Sequence, residues 1–174
     1  MVQAEVRGRW NANALAAPMA DASIWVADMS GGHGGSNKVV IRSGTAGDIG
    51  AILGLWRDAE TKASATDDIA GLRTLFDREP DAVLVAEDHG DVVGALIAAF
   101  DGWRGNMYRL AVHPEHRRRG VARALVSAGV SRLRSRGARR ITALVAHEQA
   151  GASEFWMNAC FELDPRTTRF VKTF

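Results

Sequence analysis

The chain has 174 residues, 47% of them hydrophobic and 24% charged, which suits one domain with a core of its own and excludes wholesale disorder. Net charge is only +2, yet residues 104–140 hold eleven arginines against one acid, Glu115, so positive potential is concentrated where it can meet an anion. The lone Cys160 excludes an internal disulfide and fits a reducing cytoplasm, and the longest apolar run, ALIAAF (95–100), is far too short to cross a membrane.

Residues 1–38 show neither a helical nor a strand period and end in SGGHGGSN, so they read as a flexible extension. NANALAAPMADAS is too short and too polar for the centre of a secretory signal. Within the extension, ASIWVADM (22–29) is apolar enough to dock on a neighbouring surface or to order in a homodimer, though a loosely held tail is the simpler reading.

The domain proper is expected over 39–174. VVIRS (39–43) is β-rich, and Thr45 with Asp48 three residues on predicts a helix start. Ile49, Ile52, Leu53 and Trp56 then recur on one helical face. A second helix follows Thr66, with Asp67 and Asp68 at its positive end, a stripe of Ile69, Leu72, Leu75 and Phe76, and Pro80 just beyond. AVLVAED (82–88) and VVGALIAAF (92–100) flank His89-Gly90-Asp91, which predicts an antiparallel hairpin.

Residues 106–112 add a strand, HPEHRRRG breaks it, and a helix runs to about Arg136. Val121, Leu125, Gly129 and Leu133 form its inner face, Arg123, Arg132, Arg134 and Arg136 its solvent face, and Gly137 its stop. RRITALV (139–145) reads as a buried strand, 152–158 as a helix, and 161–163 with 169–171 as closing strands around Pro165. The sum is an α/β domain with a mixed sheet.

RRRGVA (117–122) lies between a strand and a helix, so successive N–H groups can converge on an anion at the positive helix end, and a diphosphate suits that cradle. Gly120 lets ligand oxygens approach the backbone, and the small Ala122 keeps the first turn open. Arg117, Arg118, Arg119 and Arg123 add charge-assisted donors, with Arg117 and Arg119 favoured to face the ligand.

YRLAVHPEHRRRGVARALV (108–126) resembles the GNAT superfamily of N-acetyltransferases, whose signature is Arg or Gln, two residues, Gly, one residue, then Gly or Ala; here these are Arg117, Gly120 and Ala122. The resemblance follows the element order over roughly 39–174. It implies a mostly antiparallel sheet flanked by helices, with the strands before and after the signature splayed around acetyl-CoA. It implies too that the backbone of Leu110 and Val112 pairs with the pantetheine arm, with Ala111 between them in the cofactor site, and that 139–145 forms the opposite wall. The diphosphate would meet Arg117, Arg118, Arg119, Gly120, Val121, Ala122 and Arg123.

Family members carry Asn, then Ala, two residues, Phe-Tyr, and Gly-Phe or Gly-Tyr. This chain has Gln149, Ala152, Phe155-Trp156 and Cys160-Phe161 instead. Gln149 thus takes the Asn place in the cofactor site. Trp156 takes the place of the Tyr that protonates the leaving thiolate; its indole N–H can stabilise charge on sulfur, and water can supply the proton. Tyr108, the one tyrosine, is another candidate acid.

For the base, Glu87, Asp88, Asp101, His147, Glu148 and Glu154 are open by residue type; His147 and Glu148 stand out because they follow the wall strand, although loop residues of this kind are more often only solvated. Cys160 reads as packing, and Trp103 as either acceptor-pocket lining or core cover. The implied activity is acetyl transfer from acetyl-CoA to a primary amine on a small molecule or peptide. The alternatives are a non-catalytic acyl-CoA-binding module and, more remotely, a nucleic-acid binder. The latter lacks the stacking aromatics it would need.

Overall fold

The computed structural model describes residues 24–28, 38–61, 63–146 and 151–173. Six strands run in the order of the chain: β1 (Ile24–Asp28), β2 (Lys38–Ser43), β3 (Val83–Asp88), β4 (Asp91–Phe100), β5 (Gly105–Val112) and β6 (Ile141–Ala143). All neighbours are antiparallel except β5 and β6, which are parallel.

β1 corrects the expectation that 1–38 is uniformly flexible. Its five residues pair with β2 from Ile24 opposite Arg42 to Asp28 opposite Lys38. The reason is chemical: Ile24, Trp25 and Val26 are strong strand formers, and β2 otherwise presents an open ladder edge.

β3 and β4 are joined by the turn at His89 and Gly90, whose φ values of 52° and 94° match the strands' right-handed twist. Both strands are buried on two faces, so they read as continuous apolar runs. Val83, Val85, Ala95 and Ala111 meet α1 (Ile49–Asp58) and α2 (Ile69–Arg78) on one face. Leu84, Ala86, Leu96, Ala98 and Met107 meet α3 (Val121–Ser135) and α4 (Ala152–Asn158) on the other. Gly129 brings α3 close: a Cβ there would stand 2.9 Å from Leu96 Cδ2 and from Met107 Cε. Gly94 of β4 does the same for the first turns of the helix: a Cβ there would stand 3.0 Å from Val121 Cγ1 and from Leu125 Cδ1.

The predicted helix starts are present. Asp48 accepts from the Thr45 N–H at 2.7 Å and from its hydroxyl at 3.0 Å, and Asp68 caps α2 by accepting from the Gly71 N–H at 2.7 Å. Asp48 also holds Arg42 at 2.8 Å, and this hydrogen bond lowers its carboxyl from 3.8 to about 2.

Ile69, expected in the buried stripe of α2, is 54% exposed, because the first residue of the helix precedes its contact with α1 and the sheet. Arg132, expected in solvent, is buried: Nη1 donates to Ala98 O at 2.6 Å and Nη2 to Glu79 Oε1 at 2.8 Å. Glu79 is the C-cap of α2 and also accepts from the Phe100 N–H at 3.1 Å. Helical spacing showed an arginine but not these distant partners, which satisfy its charge inside.

The strand expected over 139–145 shrinks to β6, which is half-exposed. The closing strands at 161–163 and 169–171 are absent: among the described residues, 161–173 carry no strand. Leu163, Phe170 and Val171 stand 78%, 91% and 69% exposed. A turn organised by Asp164, which accepts from the Arg166 N–H at 3.1 Å, breaks the extended run there.

Candidate active site

The β5–β6 ladder is short. It pairs Gly105 with Ile141, Asn106 with Thr142 and Met107 with Ala143, and ends with the Leu144 N–H on Met107 O at 3.1 Å. Beyond Met107 the walls part. Tyr108, Leu110 and Val112 line one side of a cleft of about 1170 Å³, and Leu144, Val145 and Trp156 line the other. The separation has a local cause in β5. Ala95 pairs with Ala111 but Ile97 with Tyr108, so Leu96 opposes two residues, Arg109 and Leu110. Arg109 takes up the extra length in the left-handed conformation, φ 54°.

This bulge also overrides strand alternation. Tyr108 shares the face of its partner Ile97, on the α1/α2 side, and Arg109 points to that side too, its guanidinium 4.4 Å from the Trp56 ring. Burial pushes the Tyr108 phenol up from its ordinary value, and the charge of Arg169 works against that push.

The turn after β5 has the geometry an anion cradle requires. Pro114–His116 forms a 3₁₀ turn, Arg118 has φ 62°, and Gly120 caps α3 with φ 85°, a conformation natural to glycine. Gly120 has no side chain to cap the helix, so the N–H groups of Val121, Ala122 and Arg123 head α3 toward the cleft mouth, which Ala122 lines. The Val121 side chain itself is core, 1% exposed, leaving only its backbone for a ligand. Arg118, Arg119 and Arg123 are exposed around the turn.

Arg117 lines the cleft and also reaches backward, Nε to Val112 O at 3.3 Å and Nη2 to Ala59 O at 3.2 Å, and so braces its wall. Ala111 lines the cleft too, with its side chain packed in the α1/α2 core.

Trp156 lines the cleft but is 9% exposed, locked edge-on to Phe155 at 5.6 Å and to Phe161 at 4.8 Å. Cys160, read as packing, is exposed, and its φ of 62° explains why a glycine suits that position. Trp103 neither covers the core nor lines the cleft: it is 69% exposed with Arg104 stacked 3.8 Å above it. Glu148, Gln149 and His147 lie outside the described residues.

Of the remaining base candidates, Glu87 holds Arg42 at 2.7 Å, Asp88 faces His116 at 3.3 Å, Asp101 accepts from the Trp103 and Arg104 N–H groups, and Glu154 is exposed on α4. None lines the cleft. Among the described residues, the carboxylates that do are Glu60 and Asp67, from the connection between α1 and α2. The sequence signal was present in RDAETKASATDD, a polar run that spacing alone assigns to helix ends.

With its splayed strands and glycine-capped helix, the chain belongs to the acetyltransferase (GNAT) family, whose model matches residues 51–160, and it is an acyltransferase. Over 101 residues, 58% of this chain and 72% of the other, it is 35% identical to an acetyltransferase of Pectobacterium atrosepticum. Its fold is similar to that of Ard1 from Thermoplasma volcanium, with a TM-score of 0.66 and 22% identity over 72% of this chain and 84% of that one. It is similar also to AAC(6')-Iy in complex with the bisubstrate analogue CoA-S-monomethyl-acetylneamine, with a TM-score of 0.61 and 19% identity over 78% and 99%. No helix among the described residues is long and apolar enough to cross a membrane.

Proposed function

We propose that the protein transfers an acetyl group from acetyl-CoA to a primary amine by direct attack, without a covalent enzyme intermediate. The observation that carries this reading is the early end of the β5–β6 ladder, which leaves the backbone of 108–112 facing a cleft that leads to the head of α3. An extended arm bearing amides can pair along such a strand, while its diphosphate meets the N–H groups of Val121–Arg123 and the charge of Arg118, Arg119 and Arg123.

Glu60 carries no ion pair among the described residues and lines the acceptor side, so it is the proton acceptor in this scheme. The ammonium first gives it one proton. The free amine then attacks the thioester carbon, whose oxygen is polarised by strand N–H groups. As the C–S bond breaks, the thiolate takes a proton from Tyr108 or from water, and the second amine proton passes to the tyrosinate or hydroxide left behind. Trp156, held between two phenylalanines, serves as a fixed wall with its indole N–H toward developing charge. The lone thiol favours a cytoplasmic setting.

The test is thiol release from acetyl-CoA against a panel of polyamines, amino acids, aminoglycosides and peptides. Acceptor-dependent release is expected, with Tyr108→Phe lowering kcat by about 10- to 100-fold. Saturable acetyl-CoA binding with no release on any amine would instead favour a binding module in which Trp156 has displaced the acid.

A further inference from the structure

The connection between α1 and α2 is tied to the donor strand at two places. At its start, the carbonyl of Ala59 accepts from Arg117 Nη2 at 3.2 Å, and the same guanidinium holds Val112 O at the end of β5. At its far end, Asp67 Oδ2 meets Arg109 Nη2 at 2.9 Å. Between them Thr61 Oγ1 accepts from Arg109 at 3.0 Å and donates to Trp56 O at 2.8 Å, and the Ser64 N–H donates to Asp67 Oδ2 at 2.6 Å. Glu60, Thr61 and Asp67 all line the cleft. The acceptor-side wall is therefore suspended from the strand that forms the donor side.

Arg109 is also the residue that makes the bulge. A left-handed backbone is unfavourable for a residue with a Cβ and persists where its surroundings over-determine it. Here the side chain supplies that constraint: the Asp67 carboxylate, the Thr61 hydroxyl and the Trp56 ring all fix one orientation. Releasing them frees the bulge to relax, and Leu110, the next residue, bears the backbone on the slot.

Resting on the reading above, we propose that Arg109 is a positioning residue: clamped by Asp67 and Thr61, it fixes the acceptor wall and couples it to occupancy of the donor slot. By reciprocity, a ligand that orders the slot orders the wall, and cutting the clamp weakens that ligand.

Amide hydrogen exchange with and without CoA, followed by mass spectrometry, tests this, together with CoA affinity by calorimetry. CoA is expected to slow exchange at Thr61, Ser64 and Asp67 by about five-fold in the wild type, and Asp67→Ala is expected to abolish that slowing and weaken CoA by a similar factor although Asp67 is remote from the diphosphate turn. Arg109→Gln should behave alike, and Arg109→Lys, which keeps the charge opposite Asp67, should restore part of both effects. Amides of Leu84 and Val85 in β3 report global destabilisation and should not change. If CoA binds all variants equally and leaves the wall's exchange untouched, the clamp is only structural and the proposal falls. If the wild type does not bind CoA, the donor-slot reading itself fails and takes the coupling with it.

Discussion

On the proposed donor side of the cleft, recognition would rest on backbone. A glycine at φ 85°, the first N–H groups of α3 and a strand left without its neighbour make a surface whose chemistry is almost independent of which side chains surround it. On the acceptor side the opposite holds: Thr61 and Asp67, from the connection between α1 and α2, and Arg109, from β5, depend on one another for their orientation, with Glu60 beside them on the same connection. The first kind of site tolerates sequence change everywhere except at the residue that sets its φ. The second can be re-specified one side chain at a time.

The sharpest way to break this contrast is Gly120→Glu. A carboxylate at the head of α3 occupies the anion site and repels it, so acetyl-CoA affinity should fall on the order of 100-fold or more, by calorimetry, with an unchanged circular dichroism spectrum. An unaltered affinity would remove backbone recognition from the donor side. Next in size is Arg132→Met, which strands Glu79 and Ala98 O where α3 joins the end of α2. Breaking a buried pair of this kind should cost about 3 kcal/mol in denaturant unfolding.

Smaller still is Cys160→Gly, which relieves a left-handed residue after α4 and should stabilise the fold by about 1 kcal/mol, read from the urea midpoint. A loss of stability would show that the thiol, though exposed, makes a contact that matters. The weakest effect concerns Asp48, at the head of α1. Its folded pKa of about 2 lies below the ordinary value of 3.8, so its contribution is complete above that value and is lost as pH falls toward 2. Thermal midpoints should decline across that window, and Asp48→Asn should flatten the decline.

How far the sequence could be read follows from the same division. The hairpin around His89 and Gly90, the helix stripes and the turn at 117–122 were legible because each is a local pattern: a period, a φ requirement, a cap. Arg132 was misplaced because helix spacing registers an arginine as polar, whereas its partners Ala98 and Glu79 lie 34 and 53 residues away. The bulge at Arg109 was invisible for a related reason: strand alternation is the default, and a two-against-one register exists only once β4 is alongside. The closing strands failed on composition. Phe161–Leu163 and Arg169–Val171 have suitable residues, but strand propensity without a neighbouring ladder does not make a strand. The acceptor wall lay in a polar stretch between two helices, where nothing local marks which carboxylates turn inward.

The parting of β5 from β6 also bears on self-association. A free ladder on the outside of a sheet invites another chain, and proteins usually blunt it with charge, proline or a covering element. Here the unpaired stretch lies in a cleft, with Tyr108, Leu110 and Val112 on one side and Leu144, Val145 and Trp156 on the other. The opposite wall thus serves as the covering element, turning the open ladder inward so that its unpaired backbone groups face the cleft and not the outer edge of the sheet.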